Sequence, residues 1–159
     1  FSFLSPTPRY IYSFELGGSW KGLSLSAFFQ GQLQAETMYR PWPLNQDRAF
    51  YVDRWISDRE TPNATQPGAY GAGTNNSLGS THWIRDNSFL RLKNVFLSYD
   101  LPDEIIKKLK IAQLRIFMNG SNLFLLQNNV EIFDPESTTD TGWYYPQQRV
   151  ISTGLTLTF

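Results

Sequence analysis

The chain contains no cysteine, and His82 is its single histidine. Without cysteine, neither a disulfide framework nor a thiolate metal site can form, and a lone histidine cannot build a histidine-based metal cluster or catalytic triad. Charged residues make up only 18% of the sequence, below the roughly 25% of soluble globular domains, and its 14 basic and 14 acidic residues cancel. These absences argue against an enzyme and give no reason to expect a nucleic-acid partner.

The sequence also lacks a long apolar run. No segment approaches the roughly 18 consecutive apolar residues of a membrane helix, and the mean hydropathy is −0.35. Aromatic residues nevertheless reach 16%. A β-barrel escapes a hydropathy scan, because lipid-facing and lumen-facing residues alternate along each strand. No basic and apolar leader opens the sequence at Phe1, so we expect a mature terminus or an internal cut there.

Alternation of apolar and polar residues predicts about five β-strands. The last of them places Ile151, Leu155, Leu157 and Phe159 on one face and small polar residues on the other. The other four are expected near residues 10–16, 23–30, 88–101 and 111–124. In residues 88–101 the phase slips near Lys93-Asn94, and a β-bulge there would keep both apolar sets on one face.

The connections between these strands alternate in length. Short turns are expected at about residues 17–21, with Gly17-Gly18-Ser19, and at 102–110, where acidic and then basic residues predict a short helix. Long loops are expected at about 33–87 and 126–147. Outer-membrane barrels have short periplasmic turns and long extracellular loops, so the pattern predicts an antiparallel transmembrane β-barrel. About five strands cannot close, which predicts the end of a larger barrel.

Aromatic residues near the chain turns support this interpretation. They predict two girdles at the headgroup level, one formed by Trp20 and Tyr99 and the other by Tyr10, Trp83, Phe89, Trp143 and Tyr144. The main alternative is a soluble carbohydrate-binding β-sandwich, in which Leu25, Leu97, Ile116 and Leu157 would point into a closed interior. A structural or adhesive barrel without transport is a third class.

Several sequence segments resemble the C-terminal part of SusC/RagA-like TonB-dependent transporters. The most specific is Ser88-Phe89-Leu90-Arg91-Leu92-Lys93-Asn94-Val95, and Phe133-Asp134-Pro135-Glu136 is another. The resemblance implies a barrel of about 22 strands in the outer membrane of a Gram-negative bacterium, of which this chain supplies about the last five. It implies import of oligosaccharides or peptides with a SusD-like surface lipoprotein, driven by the TonB complex through an N-terminal part outside this chain. The rest of the same barrel and outer-membrane lipid would be its other partners.

Three sets of residues are candidate sites. Phe159, with Leu157 and Leu155, resembles the aromatic ending read by the outer-membrane assembly machinery, although a lipid-facing strand could simply end there. Glu15, Gln30, Arg115 and Asn119 are expected to face the lumen, where they line a solute path or bond the plug domain. Candidate loop contacts to substrate or to the lipoprotein lid, each also able to serve as an anchor or packing ring, are Trp42, Tyr51, Trp55, Trp83, Trp143, Tyr144 and Tyr145.

Acidic residues in the second long loop give a weaker signal. Asp134, Glu136 and Asp140 could supply oxygen ligands to Ca²⁺, but they lack the spacing of a calcium loop. We therefore expect a solvated acidic loop and no cofactor.

Overall fold

The computed structural model describes residues 6–38, 54–56, 63–64, 66–68, 78–130, 134–136 and 147–159. Within them, the chain forms mainly β-structure, with one short α-helix and one 3₁₀ turn at Thr81–Trp83. The elements are β1 (Tyr10–Trp20), β2 (Leu23–Leu33), β3 (Glu36–Met38), β4 (Ile84–Asp86), β5 (Phe89–Asp100), α1 (Asp103–Leu109), β6 (Gln113–Asn128) and β7 (Val150–Thr158). No helix in this part of the chain is long and apolar enough to span a membrane.

Five of the strands form one antiparallel sheet in the order β1-β2-β5-β6-β7. The two short strands β3 and β4 pair with each other in a separate sheet and prolong the β2–β5 hairpin. Neighbours in the large sheet follow one another along the chain, apart from this prolongation. The prediction of about five antiparallel strands in an all-β fold is confirmed, and the sheet is open, with β1 and β7 at its edges.

The large sheet has two chemically different faces, because residues that pair directly across antiparallel strands share a face. Leu25 pairs with Leu97, Leu97 with Met118, and Ile116 with Leu155. This apolar face holds Phe14, Leu16, Leu23, Leu25, Leu97, Ile116, Met118, Leu155 and Leu157. The opposite, polar face holds Glu15, Ser24, Ser26, Gln30, Asn94, Ser98, Arg115, Asn119, Ser152 and Thr156, together with four phenylalanines, Phe28, Phe89, Phe96 and Phe117.

The apolar face is uncovered by the described residues. Leu25, Ile116 and Leu157 are 49%, 51% and 40% exposed, and no second layer of these residues packs on them. The buried apolar side chains lie elsewhere, at Ala35, Trp83, Phe89, Ile106 and Val130. A contiguous exposed apolar surface of this kind marks contact with a partner or with lipid. The closed interior that a β-sandwich requires is therefore absent from this part of the chain.

A bulge interrupts β5 where the sequence phase slips. Leu92 pairs with Phe29 of β2, and the next apolar residue on the same face, Val95, pairs with Ala27. Lys93 has no pairing partner in the register between them. The extra residue keeps Leu92 and Val95 on the apolar face, which confirms the predicted bulge.

The first hairpin turn lies later than the sequence predicts. Gly17 and Gly18 are in β1, paired with Ser26 and Leu25, and the strand continues to Trp20. The turn is Lys21-Gly22, whose φ angles are 48° and 84°. Positive φ at both central positions is the signature of a type I′ two-residue hairpin loop, and glycine suits the second position because it adopts such angles without strain. The prediction of a turn at Gly17-Gly18-Ser19, which rested on their composition, was therefore wrong.

The second short connection contains the predicted helix. Pro102 precedes α1, Asp103 and Glu104 occupy its first turn, and Lys107 and Lys108 occupy its last. This arrangement compensates the helix dipole at both ends. The structure differs in the strand lengths: β6 runs to Asn128 rather than to about residue 124, and β3 and β4 lie in a segment without a predicted strand.

Candidate functional site

The two long connections leave the sheet at the same end, opposite the Lys21-Gly22 turn. The first connects β2 to β5. Its two ends are held together by the backbone N–H of Asn87, which donates to the Ala35 carbonyl at 2.8 Å, and by the Gln34 N–H, which donates to Ser88 Oγ at 3.1 Å. The Gln32 side chain donates to the Asn87 carbonyl at 2.9 Å. These bonds give the first connection a polar root.

Asp86 completes this root and reaches the second connection. Its Oδ1 accepts hydrogen bonds from the Ser88 N–H at 2.9 Å and the Ser88 hydroxyl at 2.6 Å, and its Oδ2 accepts one from Asn129 Nδ2 at 2.8 Å. Burial by itself raises the pKa of Asp86, but the bonds from Ser88 and Asn129 outweigh it and hold the pKa below its ordinary value. The ionised form is therefore the one that the fold favours.

Arg91 on β5 is the most buried charged residue of this region, with 5% of its side chain exposed. Its Nη2 lies 2.7 Å from both carboxylate oxygens of Asp134, and its Nη1 lies 3.0 Å from Glu136 Oε2. Asp134 and Glu136 follow β6 in the second connection and are 18% and 17% exposed. One guanidinium thus binds two carboxylates, using the planar arrangement of donors that distinguishes arginine from lysine.

Lys93, the unpaired bulge residue, joins the same group. Its Nζ lies 2.6 Å and 2.8 Å from the two oxygens of Glu136. The Glu136 N–H donates to Asp134 Oδ1 at 3.0 Å, and Asn87 Nδ2 donates to the Pro135 carbonyl at 2.9 Å. We call Asp86, Asn87, Arg91, Lys93, Asp134 and Glu136 the loop-root cluster. The two cations and two anions of its ion pairs cancel.

The cluster corrects the interpretation of the acidic loop residues. Asp134 and Glu136 are ion-paired and partly buried, so they are not a solvated acidic loop and their oxygens are already used by Arg91 and Lys93. No group of three histidine, cysteine or acidic side chains able to hold a metal occurs among the described residues. Asp140 lies outside the described residues.

A cavity of about 360 Å³ opens on the polar face beside the cluster. Gln30, Gln32, Glu36 and Asn87 give it polar groups, while Ile11, Phe89 and Pro135 give it apolar surface. The Oδ1 atom of Asn87 and the Nε atom of Arg91 are buried without a hydrogen-bond partner. Cavities of this size with a few polar groups are the usual form of a ligand site.

The four residues expected to face the lumen share the polar face but do not form one site. Gln30 lines the cavity. Glu15 accepts a hydrogen bond from Ser26 at 2.6 Å, and Asn119 pairs with Phe96 in the middle of the sheet. Arg115 lies near the short turns, with its Nε and Nη2 at 2.7 Å and 2.8 Å from the Asp100 carboxylate. Its charge is therefore paired within the sheet.

The candidate loop rings differ in exposure. Trp55 is 45% exposed, whereas Trp83 is 3% exposed and packs edge-on against His82. Trp83 therefore presents no free ring face, and Phe89, also 3% exposed, is buried rather than part of a girdle. Trp42, Tyr51, Trp143, Tyr144 and Tyr145 lie outside the described residues. At the other candidate site, Leu155, Leu157 and Phe159 are 67%, 40% and 91% exposed.

The sequence analysis named the basic strand residues and the acidic loop residues of the cluster, but it did not predict that they pair with each other. The signal lay in two basic residues, two positions apart, within an otherwise apolar strand, and in two acidic residues with the same spacing in a loop. Charges inside such a strand require partners, because an unpaired buried charge is costly.

The fold and the site define a class of protein. Long antiparallel strands, with one exposed apolar face and one polar face, form the wall of an outer-membrane β-barrel. Known proteins agree with this class. The chain is 30% identical to TonB-dependent receptor P26 of Formosa agariphila, in an alignment that covers 98% of the chain and 17% of the receptor. It is 25% identical to TonB-dependent receptor P3 of the same organism, over 97% of the chain and 17% of that receptor.

Solved structures give the same result. The RagAB peptide importer in its 'closed-closed' state matches with a TM-score of 0.73 and 30% identity, over 98% of this chain and 18% of that chain. Its 'open-open' state matches with a TM-score of 0.72 and 29% identity. No protein-family model matches the chain. The chain spans only about 17% of the length of these receptors, and its predicted resemblance to a barrel segment of a SusC/RagA-like TonB-dependent transporter is confirmed.

Proposed function

We propose that this chain forms part of the barrel wall of an outer-membrane, TonB-dependent importer that takes up oligosaccharides or peptides together with a SusD-like surface lipoprotein. The observation that carries the proposal is the exposed apolar face, on which Leu25, Ile116 and Leu155 stand among similar side chains. In lipid this face needs no protein cover, because acyl chains are as apolar as the side chains themselves. The similarity to TonB-dependent receptors supports the same conclusion.

Aromatic residues support a membrane position for the sheet. Trp20 and Tyr99, 71% and 40% exposed, lie on the apolar face beside the short turns, and Tyr10, 59% exposed, lies on it at the opposite end. Strands of about 11 residues, tilted near 45°, span the roughly 25 Å apolar band of such barrels. The rings at both ends then reach the headgroup level, where an apolar ring with a polar atom is favoured.

The polar face becomes the lumen wall in this proposal. Glu15, Gln30, Arg115 and Asn119 then line a solute path or bond the plug domain. Because Arg115 is paired with Asp100, Gln30 in the cavity is the better candidate for solute contact. The open edges at β1 and β7 pair with the rest of the same barrel, since unpaired backbone groups cost several kcal/mol each in lipid.

The partners follow from the kind of transporter. RagAB is described as a peptide importer, which makes peptide a proposed substrate class beside oligosaccharide. The long connections are proposed to face outward, where Trp55 and the other loop rings contact substrate or the lipoprotein. Phe159, with Leu157 and Leu155, is proposed to direct assembly of the barrel. Transport of this kind requires binding and conformational change rather than bond chemistry, so we propose no enzymatic activity.

Uptake by cells that express the full-length protein tests the proposal. Labelled peptides and labelled oligosaccharides are supplied separately to cells with and without an active TonB complex. We expect uptake of one class, abolished when the TonB complex is inactive. Uptake that does not depend on TonB contradicts an energised importer, and a full-length protein that stays monodisperse without detergent contradicts the membrane barrel and favours the soluble sandwich.

A further inference from the structure

The loop-root cluster joins two connections that are far apart in sequence. We propose that Arg91 is a positioning residue that binds the roots of the two long connections into one mechanical unit, so that a force on one connection is transmitted to the other. Residues 84–88 form the first root, and the described residues 129–130 and 134–136 form the second. The contacts that join the two roots are a property of the fold. Only the effect of this joining on transport rests on the proposed function.

Arg91 is suited to this role because its backbone is held in the sheet on both sides. It belongs to β5, the middle strand of the sheet, and its backbone is paired with Gln30 of β2 and Leu125 of β6. Its guanidinium is buried and reaches Asp134, 43 residues away in sequence, with both oxygens at 2.7 Å. A rigid strand therefore holds the second root through a buried ion pair, which resists separation because an unpaired charge left behind is strongly unfavourable.

Two further contacts connect the second root directly to the first. Asn87 Nδ2 donates to the Pro135 carbonyl at 2.9 Å, and Asn129 Nδ2 donates to Asp86 Oδ2 at 2.8 Å. The first contact lies at Pro135, between the two carboxylates that Arg91 binds, and the second lies at Asn129, where β6 has just ended, so both described parts of the second root are held. Contacts that share one network are coupled, and the loss of one weakens the others.

The unit also forms part of the cavity. Pro135 and Glu136 of the second root line it together with Asn87 of the first root. The ion pairs therefore determine the position of one cavity wall. In an importer, this arrangement couples the two roots to each other when substrate enters the cavity.

Hydrogen exchange of the purified full-length protein tests the proposal. Asp134→Asn removes one carboxylate of the second root without altering any strand. We expect faster exchange in residues 129–136 and, as the decisive result, also in residues 84–88, by roughly tenfold or more. Asp134→Glu keeps the charge and is expected to restore part of the protection in both roots. Asp100→Asn, which breaks the Arg115 pair at the opposite end of the sheet, is the matched control and should leave both roots unchanged.

The outcomes separate the proposal from simpler explanations. Faster exchange confined to residues 129–136 overturns it, because the roots then behave independently. Faster exchange throughout β6 and β7 also overturns it, because the effect is then general loss of folding. Protection from hydrogen exchange is measured on the purified protein, without transport. The joining of the two roots can therefore be demonstrated even if the uptake experiment fails. Conversely, if uptake depends on TonB but the two roots exchange independently, the proposed transport function is supported and the proposed joining of the roots is rejected.

Discussion

Arg91 on β5 holds both carboxylate oxygens of Asp134 at 2.7 Å, across 43 residues of sequence. The pair is nearly buried, and Glu136 and Lys93 extend it into a neutral group of four charges. It lies where a strand of the sheet meets the root of a long connection. Loss of this ion pair is therefore expected to affect both the strand and the root of the connection.

Replacing Arg91 with lysine should destabilise the protein although the charge is kept. The single ammonium of lysine cannot reproduce the planar donors with which Arg91 holds Asp134 through one nitrogen and Glu136 through another, and breaking a buried ion pair costs about 3–5 kcal/mol when one partner is left uncompensated. The midpoint of heat-induced unfolding of the full-length protein measures the loss. Asp100→Asn removes a more exposed pair at the other end of the sheet and should lower the midpoint less. Equal effects of the two variants would mean that burial does not strengthen the Arg91 pair.

An arginine on the apolar face should be tolerated less well than one on the polar face. Leu25→Arg places a charge in lipid, at a cost of up to about 2–4 kcal/mol near the bilayer midplane. Its chain neighbour Ser24 points to the opposite face and provides the control variant Ser24→Arg. Folded protein in the outer membrane is quantified by its mobility on gels without heating. A lower yield for Ser24→Arg than for Leu25→Arg would reverse the assignment of the two faces.

The glycine of the first turn should not accept a side chain. Gly22 has a φ of 84°, and a Cβ atom there would lie 2.6 Å from the Asp100 carbonyl oxygen. Gly22→Ala should therefore destabilise the hairpin by about 1–2 kcal/mol from the left-handed conformation alone. At Gly18 a Cβ atom would meet nothing within 4 Å, so Gly18→Ala is the matched control. Thermal unfolding of both variants decides whether Lys21-Gly22 is the turn.

Acid should loosen the root of the first long connection. The folded state holds the pKa of Asp86 below its ordinary value of 3.8, so Asp86 contributes stability above that value. The contribution is lost as the pH falls through the lowered pKa, because the unfolded state then binds the proton more readily. Hydrogen exchange of residues 84–88 across this acidic range measures the effect. Asp86→Asn removes this carboxylate, so the informative quantity is the difference between the two proteins, and the variant should show a weaker pH dependence.

Much of the sheet could be predicted because its signal is local. Alternation along each strand reports which side chains share a face, and the slip at Lys93-Asn94 reports the bulge without knowledge of any partner strand. The turn was misplaced because Gly17-Gly18 resembles a turn in composition. Only the pairing of Trp20 with Leu23 shows that the strand continues past these glycines. The short strands β3 and β4 gave no periodic signal over three residues each.

The candidate site was less predictable because it is made of long-range contacts. Arg115 was expected to line a solute path or to bond the plug domain, and its pairing with Asp100 depends on the register of β5 against β6. For Trp83 the sequence left partner contact, anchoring and packing open, and the structure shows it buried beside His82. Residue type predicts that a ring or a charge will find a contact, but only the fold decides which contact it finds.

The sequence by itself determined the two-faced strands, the alternation of short and long connections and the resemblance to a transporter barrel, since these properties reside in neighbouring residues and their spacing. Tertiary structure alone decided the register between strands and the joining of Arg91 to Asp134. The physical reason is that hydrogen bonds and ion pairs depend on distances between atoms, and for residues far apart along the chain those distances exist only after folding.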